Sequence, residues 1–385
     1  MDPLLFTPGP TNVPSRVLKA MAKPMITHRG ATFRSLYSSV EDKIKQLLDT
    51  ENEVFLLTAS GTGGVEAAIA NLVKKGTKVI VPIFGTFSER IANAVKTYGG
   101  EVITRKYKEG TGPVKEDIAA LINEHLNAEI LFIVYNDTSP GVMLKDIDQI
   151  CKIAKDNGLI TIVDGISIVG GAPVHVDAWN IDVFIGATQK CLGTPPGLSF
   201  ISVSREVLEK SKNINTIYFS FELFKKFAEK RETPFTPAIP LFYALDEALK
   251  IILSEIGYKR WLELHERRAE ALYKSLEVMN FIPFVHENFR SVVVISTSGH
   301  PSLECPALKS ELEKKYAINI SGGLGELKNK IIRVGNMGFL TWRDILTLIA
   351  AIAEILLEHG IEEDVSKALG IIGNYAAKTP IPWDG

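Results

Sequence analysis

Three short segments carry side chains suited to chemistry on a small anionic ligand. Thr58-Ala59-Ser60-Gly61-Thr62-Gly63-Gly64 follows an apolar run and opens a stretch with helical spacing. A helix starting there offers free N–H groups and the positive end of its dipole, which together seat a phosphate. Small residues let the anion reach the backbone, and the Ser60 and Thr62 hydroxyls add donors. The segment is not a dinucleotide fingerprint, because Glu66 stands where a third glycine belongs, and it lacks the lysine of a P-loop. Ile162-Val163-Asp164-Gly165 ends a second apolar run in an acid. Gly186-Ala187-Thr188-Gln189-Lys190-Cys191 follows a third and sets a lysine among small residues beside a buried strand. Desolvation there lowers the lysine pKa and frees the neutral amine. Taken singly, these segments also read as a tight turn, a capping or salt-bridged aspartate, and a surface lysine.

Taken together they point to pyridoxal 5'-phosphate. That cofactor needs a lysine to form a Schiff base, an acid to pair with its pyridinium nitrogen and keep the ring an electron sink, and a phosphate seat. Three further signals belong beside them. Phe87, in Phe84-Gly85-Thr86-Phe87-Ser88, stands at a helix start after a strand, where an aromatic either stacks on a cofactor ring or joins the core. Asn136-Asp137-Thr138-Ser139-Pro140-Gly141 puts polar groups at another strand end, or makes a plain turn. Arg333, in Ile331-Ile332-Arg333-Val334-Gly335, is a charge inside an apolar strand, costly unless paired. Its planar fork suits a carboxylate bidentately, and a structural salt bridge is the other reading. His28-Arg29, at the end of the N-terminal arm, is either structural or lines the cleft. No HExxH or paired metal spacing and no GxSxG elbow occurs, so no metal site is expected.

The elements that must position these residues follow from hydrophobic period. Phe6-Thr7-Pro8-Gly9-Pro10-Thr11-Asn12-Val13-Pro14 has three prolines and reads as an extended arm. Strands are predicted at 54–57, 78–81, 101–104, 130–135, 159–164, 183–185 and 199–203, and helices at 63–73, 87–98, 114–125 and 147–157. Continuously apolar strands alternating with amphipathic helices imply a mostly parallel sheet covered on both faces, a doubly wound α/β domain with ligands at the carboxyl ends of its strands. Residues 213–237 show no clear period. A helical stretch over 240–279 breaks near Gly257-Tyr258, and strand, helix, strand, helix at 292–296, 303–316, 331–334 and 341–359 suggest a smaller C-terminal α+β domain. The division reads as an arm over 1–20, a large cofactor domain over 21–259 and a small domain over 260–385, with an irregular tail over 378–385.

Composition bounds the function. The chain has 385 residues, 46% hydrophobic and 23% charged, and a formal net charge of −2. That is a globular profile with no electrostatic case for nucleic acid or an anionic membrane. The three cysteines, Cys151, Cys191 and Cys305, form no CxxC, which favours a reducing compartment. The start has no basic region followed by an apolar stretch, and the longest apolar run, 345–357, contains Glu354 and is too short for a bilayer. A cytoplasmic location is expected.

The sequence resembles the class V aminotransferases of fold type I, nearest in look to the alanine–glyoxylate and serine–pyruvate enzymes. The resemblance runs from Pro8-Gly9-Pro10-Thr11-Asn12 to Arg333-Val334-Gly335, and its most specific part is Thr188-Gln189-Lys190 followed by Pro195-Pro196-Gly197. It implies that Lys190 is the Schiff-base residue and Gln189 a phosphate contact. It assigns Asp164 to the pyridine nitrogen, Phe87 to the ring face, Ser60, Gly61 and Thr62 to the phosphate, Thr138 to the ring surroundings and Arg333 to the substrate carboxylate. It implies a homodimer in which Thr236, in Thr233-Pro234-Phe235-Thr236-Pro237, completes the partner's phosphate site. Some relatives carry a Tyr where this chain has Thr233. The implied reaction moves an amino group from serine or alanine to pyruvate or glyoxylate with ping-pong kinetics. The alternatives are a phosphonate transaminase, which should recruit extra basic residues; a cysteine desulfurase, which should present a mobile cysteine; and a non-catalytic binding protein of the same fold. Cys191, next to Lys190, reads as packing, and Cys305 begins a helix.

Overall fold

The computed structural model describes residues 2–211 and 216–382. The first positions of the aperiodic 213–237 stretch and the end of the expected irregular tail lie outside the described residues.

The large sheet has seven strands in the spatial order Glu53–Leu57, Ser199–Val203, Val183–Ala187, Ile160–Asp164, Ile130–Val134, Lys78–Ile80, Glu101–Ile103. Four neighbouring pairs, from Glu101–Ile103 to Val183–Ala187, are parallel. Ser199–Val203 runs antiparallel to both of its neighbours. The reason is local: the segment from Thr188 to Leu198 is too short to cross over and carries Pro195-Pro196-Gly197, so the chain turns back along the same sheet. That return leaves Lys190 in the turn, on the edge where Ile160–Asp164 ends in Asp164. Glu53–Leu57, antiparallel to the reversed strand, again points its carboxyl end to this edge and feeds helix Gly61–Leu72.

Val183–Ala187 and Ser199–Val203 are buried throughout, as are Ile130–Val134 and most of Ile160–Asp164, which is why they read as unbroken apolar runs. Helices Gly61–Leu72, Thr86–Thr97, Lys115–Glu124 and Ile147–Asp156 lie within two residues of their predicted ends. The expected break near Gly257-Tyr258 is a π-helical stretch, Ile251–Gly257, between helices Ile239–Lys250 and Tyr258–Val278.

A second sheet is ordered Leu4–Phe6, Ile318–Gly322, Ile332–Gly335, Val294–Thr297. It carries its own apolar cluster, which includes Phe6, Leu272, Ile320, Ile345 and Ile352. The start of the arm is therefore an edge strand, parallel to Ile318–Gly322 in the order Leu4 to Ile318, Phe6 to Ile320. Edge placement fits a strand that runs directly into Pro8. Helices Ala31–Leu48, Phe221–Ala228 and Val365–Lys378 and strand Ile318–Gly322 are additions to the predicted elements. No helix among the described residues is long and apolar enough to cross a membrane.

Candidate active site

The carboxyl edge of the large sheet opens into a cavity of about 360 Å³ lined by Ser60, Gly61, Thr62, Phe87, Thr138, Asp164, Gln189 and Lys190. Ser60 is the N-cap of Gly61–Leu72 in extended backbone, and its own hydroxyl makes no capping bond. The first amides of that helix have no partner within it and face the N-terminal end, where an anion would satisfy them. The Gln189 Oε1 is buried in this wall without a hydrogen-bond partner among the described residues. An orphaned polar atom and an unfilled helix start, side by side, fit a polar ligand group.

Asp164 is buried, and its Oδ1 accepts from the Ile166 amide at 2.9 Å. Burial pushes its carboxyl up to about 7, the nearby Asp137 adds to this, and the Ile166 amide and Lys190 oppose it. Burial lowers the Lys190 ammonium to about 8, with Arg333 pushing the same way and Asp164 opposing. An acid and a base pushed toward each other's range on one cavity wall is the signature of a reaction site. Neither residue makes an ion pair among the described residues, so the capping-or-salt-bridge reading of Asp164 reduces to one amide bond, and Lys190 is not a surface lysine. Its Nζ instead donates to the Pro8 carbonyl at 2.5 Å.

Phe87 is half-buried at the cavity wall, with the Arg90 guanidinium 5.0 Å from its ring centroid. Its placement depends on Asp137, which is fully buried. Asp137 Oδ2 accepts from the Phe87 and Ser88 amides at 3.0 Å, and Oδ1 accepts from the Ser139 amide and hydroxyl at 3.0 and 2.7 Å. The polar Asn136–Gly141 segment is thus a brace that holds the start of helix Thr86–Thr97 in place, with Thr138 on the cavity side. The sequence signal was present in that segment, but it does not distinguish the brace Asp137 from Thr138 beside it.

Arg333 and Thr236 do not line this cavity. Arg333 is 5% exposed and lines a neighbouring cavity of about 430 Å³. The two cavities share a wall, since Arg333 Nη1 donates to the Thr138 carbonyl at 2.7 Å and Nε to the Gly322 carbonyl at 2.8 Å. No acidic side chain pairs with it among the described residues, which removes the salt-bridge reading, and burial lowers its pKa to about 10. Thr236 is exposed, just beyond a segment braced by Arg29. Arg29 bonds Glu232 Oε2 and the Thr233 carbonyl at 2.8 Å and the Pro234 carbonyl at 3.1 Å. Of the two readings of His28-Arg29, Arg29 takes the structural one.

Residues 4–329 match the family model for aminotransferase class-V. The chain belongs to the class-V aminotransferases. It is 38% identical over 363 residues to an uncharacterized aminotransferase of Methanocaldococcus jannaschii, covering 93% of this chain and 94% of that one. It is 29% identical to the serine–glyoxylate aminotransferase of Methylorubrum extorquens, over 98% of this chain and 96% of the relative. Among solved structures, the ureidoglycine–glyoxylate aminotransferase of Bacillus subtilis superposes with a TM-score of 0.91 at 26% identity, over 97% and 98% of the two chains. The fold is that of the fold type I enzymes, and the family's cofactor is pyridoxal phosphate. The donor set of the first cavity fits it: a hydroxyl-bearing helix start, an acid, an amine and an aromatic face.

Proposed function

We propose that this class-V aminotransferase moves the amino group of a small 2-amino acid, serine or alanine, to a small 2-oxo acid, glyoxylate or pyruvate. The observation that carries the reading is the oppositely perturbed pair, Asp164 and Lys190, on one cavity whose wall is shared with an arginine that has no acidic partner among the described residues. The relatives named for serine and for glyoxylate support the choice of substrates.

Bound pyridoxal phosphate supplies an electron sink for the bond broken at the substrate Cα. Ser60, Gly61, Thr62 and Gln189 would hold its phosphate, Phe87 and Thr138 would flank its ring, and Asp164 as a carboxylate would pair with the ring nitrogen. Lys190 Nζ would be the amine that holds the cofactor's aldehyde when no substrate is bound. With an amino acid in place, Lys190 Nζ would be free to take the α-proton as general base and to hand it back as general acid. Arg333 holds the substrate carboxylate with the guanidinium edge not given to the Thr138 and Gly322 carbonyls. Thr236 of a second copy completes the phosphate seat, in a homodimer. The two halves run on one site, so the first 2-oxo acid leaves before the second enters and kinetics are ping-pong.

The test of the substrate assignment is a donor–acceptor matrix on purified protein. Serine or alanine with glyoxylate or pyruvate should give the highest kcat/KM, and no turnover with any of these pairs rejects the reading. Absence of any visible absorbance after addition of pyridoxal phosphate would favour the non-catalytic alternative.

Two predictions follow from the electrostatics. Only the neutral amine attacks an aldehyde, so the rate of covalent cofactor capture by cofactor-free protein should rise with pH through a midpoint at about 8. Borohydride trapping read by mass measures it; a midpoint near the ordinary lysine range would mean that Lys190 is solvated. Arg333→Ala should lower kcat/KM for carboxylate substrates about 100-fold, the scale for losing one partner of a buried charge-assisted pair, while cofactor retention stays within about 2-fold. Equal loss of both would make Arg333 structural.

A second reading rests on the neighbouring cavity. Lys309 and Lys328 line it together with Arg333, against one acid, Glu313. Those are the extra basic residues a donor with a second anionic group requires, so aspartate and phosphoserine belong in the matrix. Cysteine desulfuration finds less support. Cys191 is fully buried with its thiol pushed up to about 12, and Cys305 opens helix Cys305–Tyr316 rather than sitting on a loop.

A further inference from the structure

The N-terminal arm does more than start the chain. Leu4–Phe6 is anchored in the second sheet, with Phe6 fully buried in that sheet's core. The chain then doubles back on itself. Asn12 closes the loop, its Nδ2 donating to the Leu5 carbonyl and its Oδ1 accepting from the Leu5 amide, both at 2.9 Å. Thr7 Oγ1 donates to the Pro10 carbonyl at 2.7 Å. Pro8 and Pro10 bring no amide donors, so the loop presents carbonyls with few local competitors.

This loop is wedged between the two residues that the proposed reaction needs from opposite sides. On one side lies the strand carrying Arg333: a side-chain carbon on Gly335 would sit 2.1 Å from the Thr7 carbonyl oxygen. On the other lies Lys190. Gly9 has φ +97°, and a side-chain carbon there would fall 2.5 Å from both Cδ and Nζ of Lys190 and 2.8 Å from Cε. Only glycine fits on both counts. The lysine is held at both ends, through Nζ to the Pro8 carbonyl and through its own carbonyl by Thr11 Oγ1 at 3.2 Å.

We propose that residues 7–12 form a positioning element for the Lys190 amine, with the Pro8 carbonyl as the acceptor that holds this amine whenever it is not bonded to cofactor. The proposal rests on the reading of Lys190 as the reacting amine. A carbonyl acceptor favours the protonated form of the amine it faces, against the burial that disfavours it. It would therefore keep the displaced amine beside the substrate while it carries the α-proton. The other titratable groups whose charges reach the amine are Asp164, Arg333 and Cys191, and none of them is altered by changing the loop.

The experiment uses Asn12→Ala, which opens the loop without touching Lys190, and Gly9→Ala, which intrudes on the amine. Pyridoxal phosphate is added to cofactor-free protein, and covalent capture is followed against pH by borohydride trapping. Loss of one acceptor should raise the acid dissociation constant of the amine about 5-fold in Asn12→Ala, moving the capture midpoint to lower pH. Its kcat should fall about 10-fold while KM for the amino donor stays within about 2-fold. An Asn12→Ala protein whose midpoint and kcat match the parent overturns the proposal, even if its melting temperature drops, because that pattern belongs to packing alone. Gly9→Ala is a second, independent test: wild-type capture in a folded Gly9→Ala protein equally overturns the proposal. If instead Lys190→Ala captures cofactor covalently as well as the parent, the reading of Lys190 itself fails and this proposal falls with it.

Discussion

Lys190→Ala is expected to leave a folded protein that still binds pyridoxal phosphate but turns over at least about 10⁴-fold more slowly, the combined loss of a nucleophile and a general base. The fold should survive because the side chain lines a cavity rather than filling the core, and its side-chain bond is to the Pro8 carbonyl. Cofactor binding should survive because the proposed phosphate seat, at Ser60, Gly61, Thr62 and Gln189, is separate from the amine. Three measurements check this: the steady-state rate, the mass after borohydride treatment, and the fraction of cofactor retained on desalting. Wild-type turnover in the variant would reject the assignment. Rescue by added small amines would support it, because a free amine in the vacated space can move the same proton.

Asp164→Asn should be the next most damaging change, lowering kcat on the order of 100-fold or more with cofactor still bound. The carboxyl of Asp164 lies high, at about 7, because it is buried with Asp137 near it and only the Ile166 amide and Lys190 to offset the cost. A protonated ring nitrogen would supply the missing cation and return it to the carboxylate form, so the strain on the carboxyl is relieved by binding. Asparagine keeps the size and the bond from the Ile166 amide but holds no charge there. Its cost should therefore fall on kcat rather than on KM, and should not be recovered at any pH. Asp137→Asn is the informative comparison. Asp137 spends its oxygens on the amides of Phe87, Ser88 and Ser139, so its loss should act through helix Thr86–Thr97 and lower the melting temperature as well as the rate.

The elements and most of the cavity were legible in the residues themselves. Parallel strands buried on both faces must be apolar along their whole length, and their helices must be amphipathic, so the period and the breaks locate each unit locally. The cavity opens at the strand ends, and its lining residues Ser60–Thr62, Asp164 and Lys190 are all reached by counting along short apolar runs. Helix Ala31–Leu48 was missed although Phe33, Tyr37, Val40, Ile44 and Leu47 recur at helical spacing on its buried face. Helix Val365–Lys378 is harder to see, since Gly370 and Gly373 lower its propensity and packing on helix Tyr258–Val278 supplies what the local sequence does not.

Tertiary structure decided what depends on distant partners. Two strand-end acids, Asp137 and Asp164, have the same local setting. Which one braces a helix and which one faces the cavity depends on the amides that neighbouring elements bring, and no spacing encodes that. The antiparallel return of Ser199–Val203 sets Lys190 on the same edge as Asp164. Arg333 reaches the shared wall, and the arm meets Lys190, because a second sheet with its own core packs there. A sequence states which groups are present and which way each element must turn its apolar face. Burial by other elements then decides which charges lose their water, and with it their ordinary proton affinity.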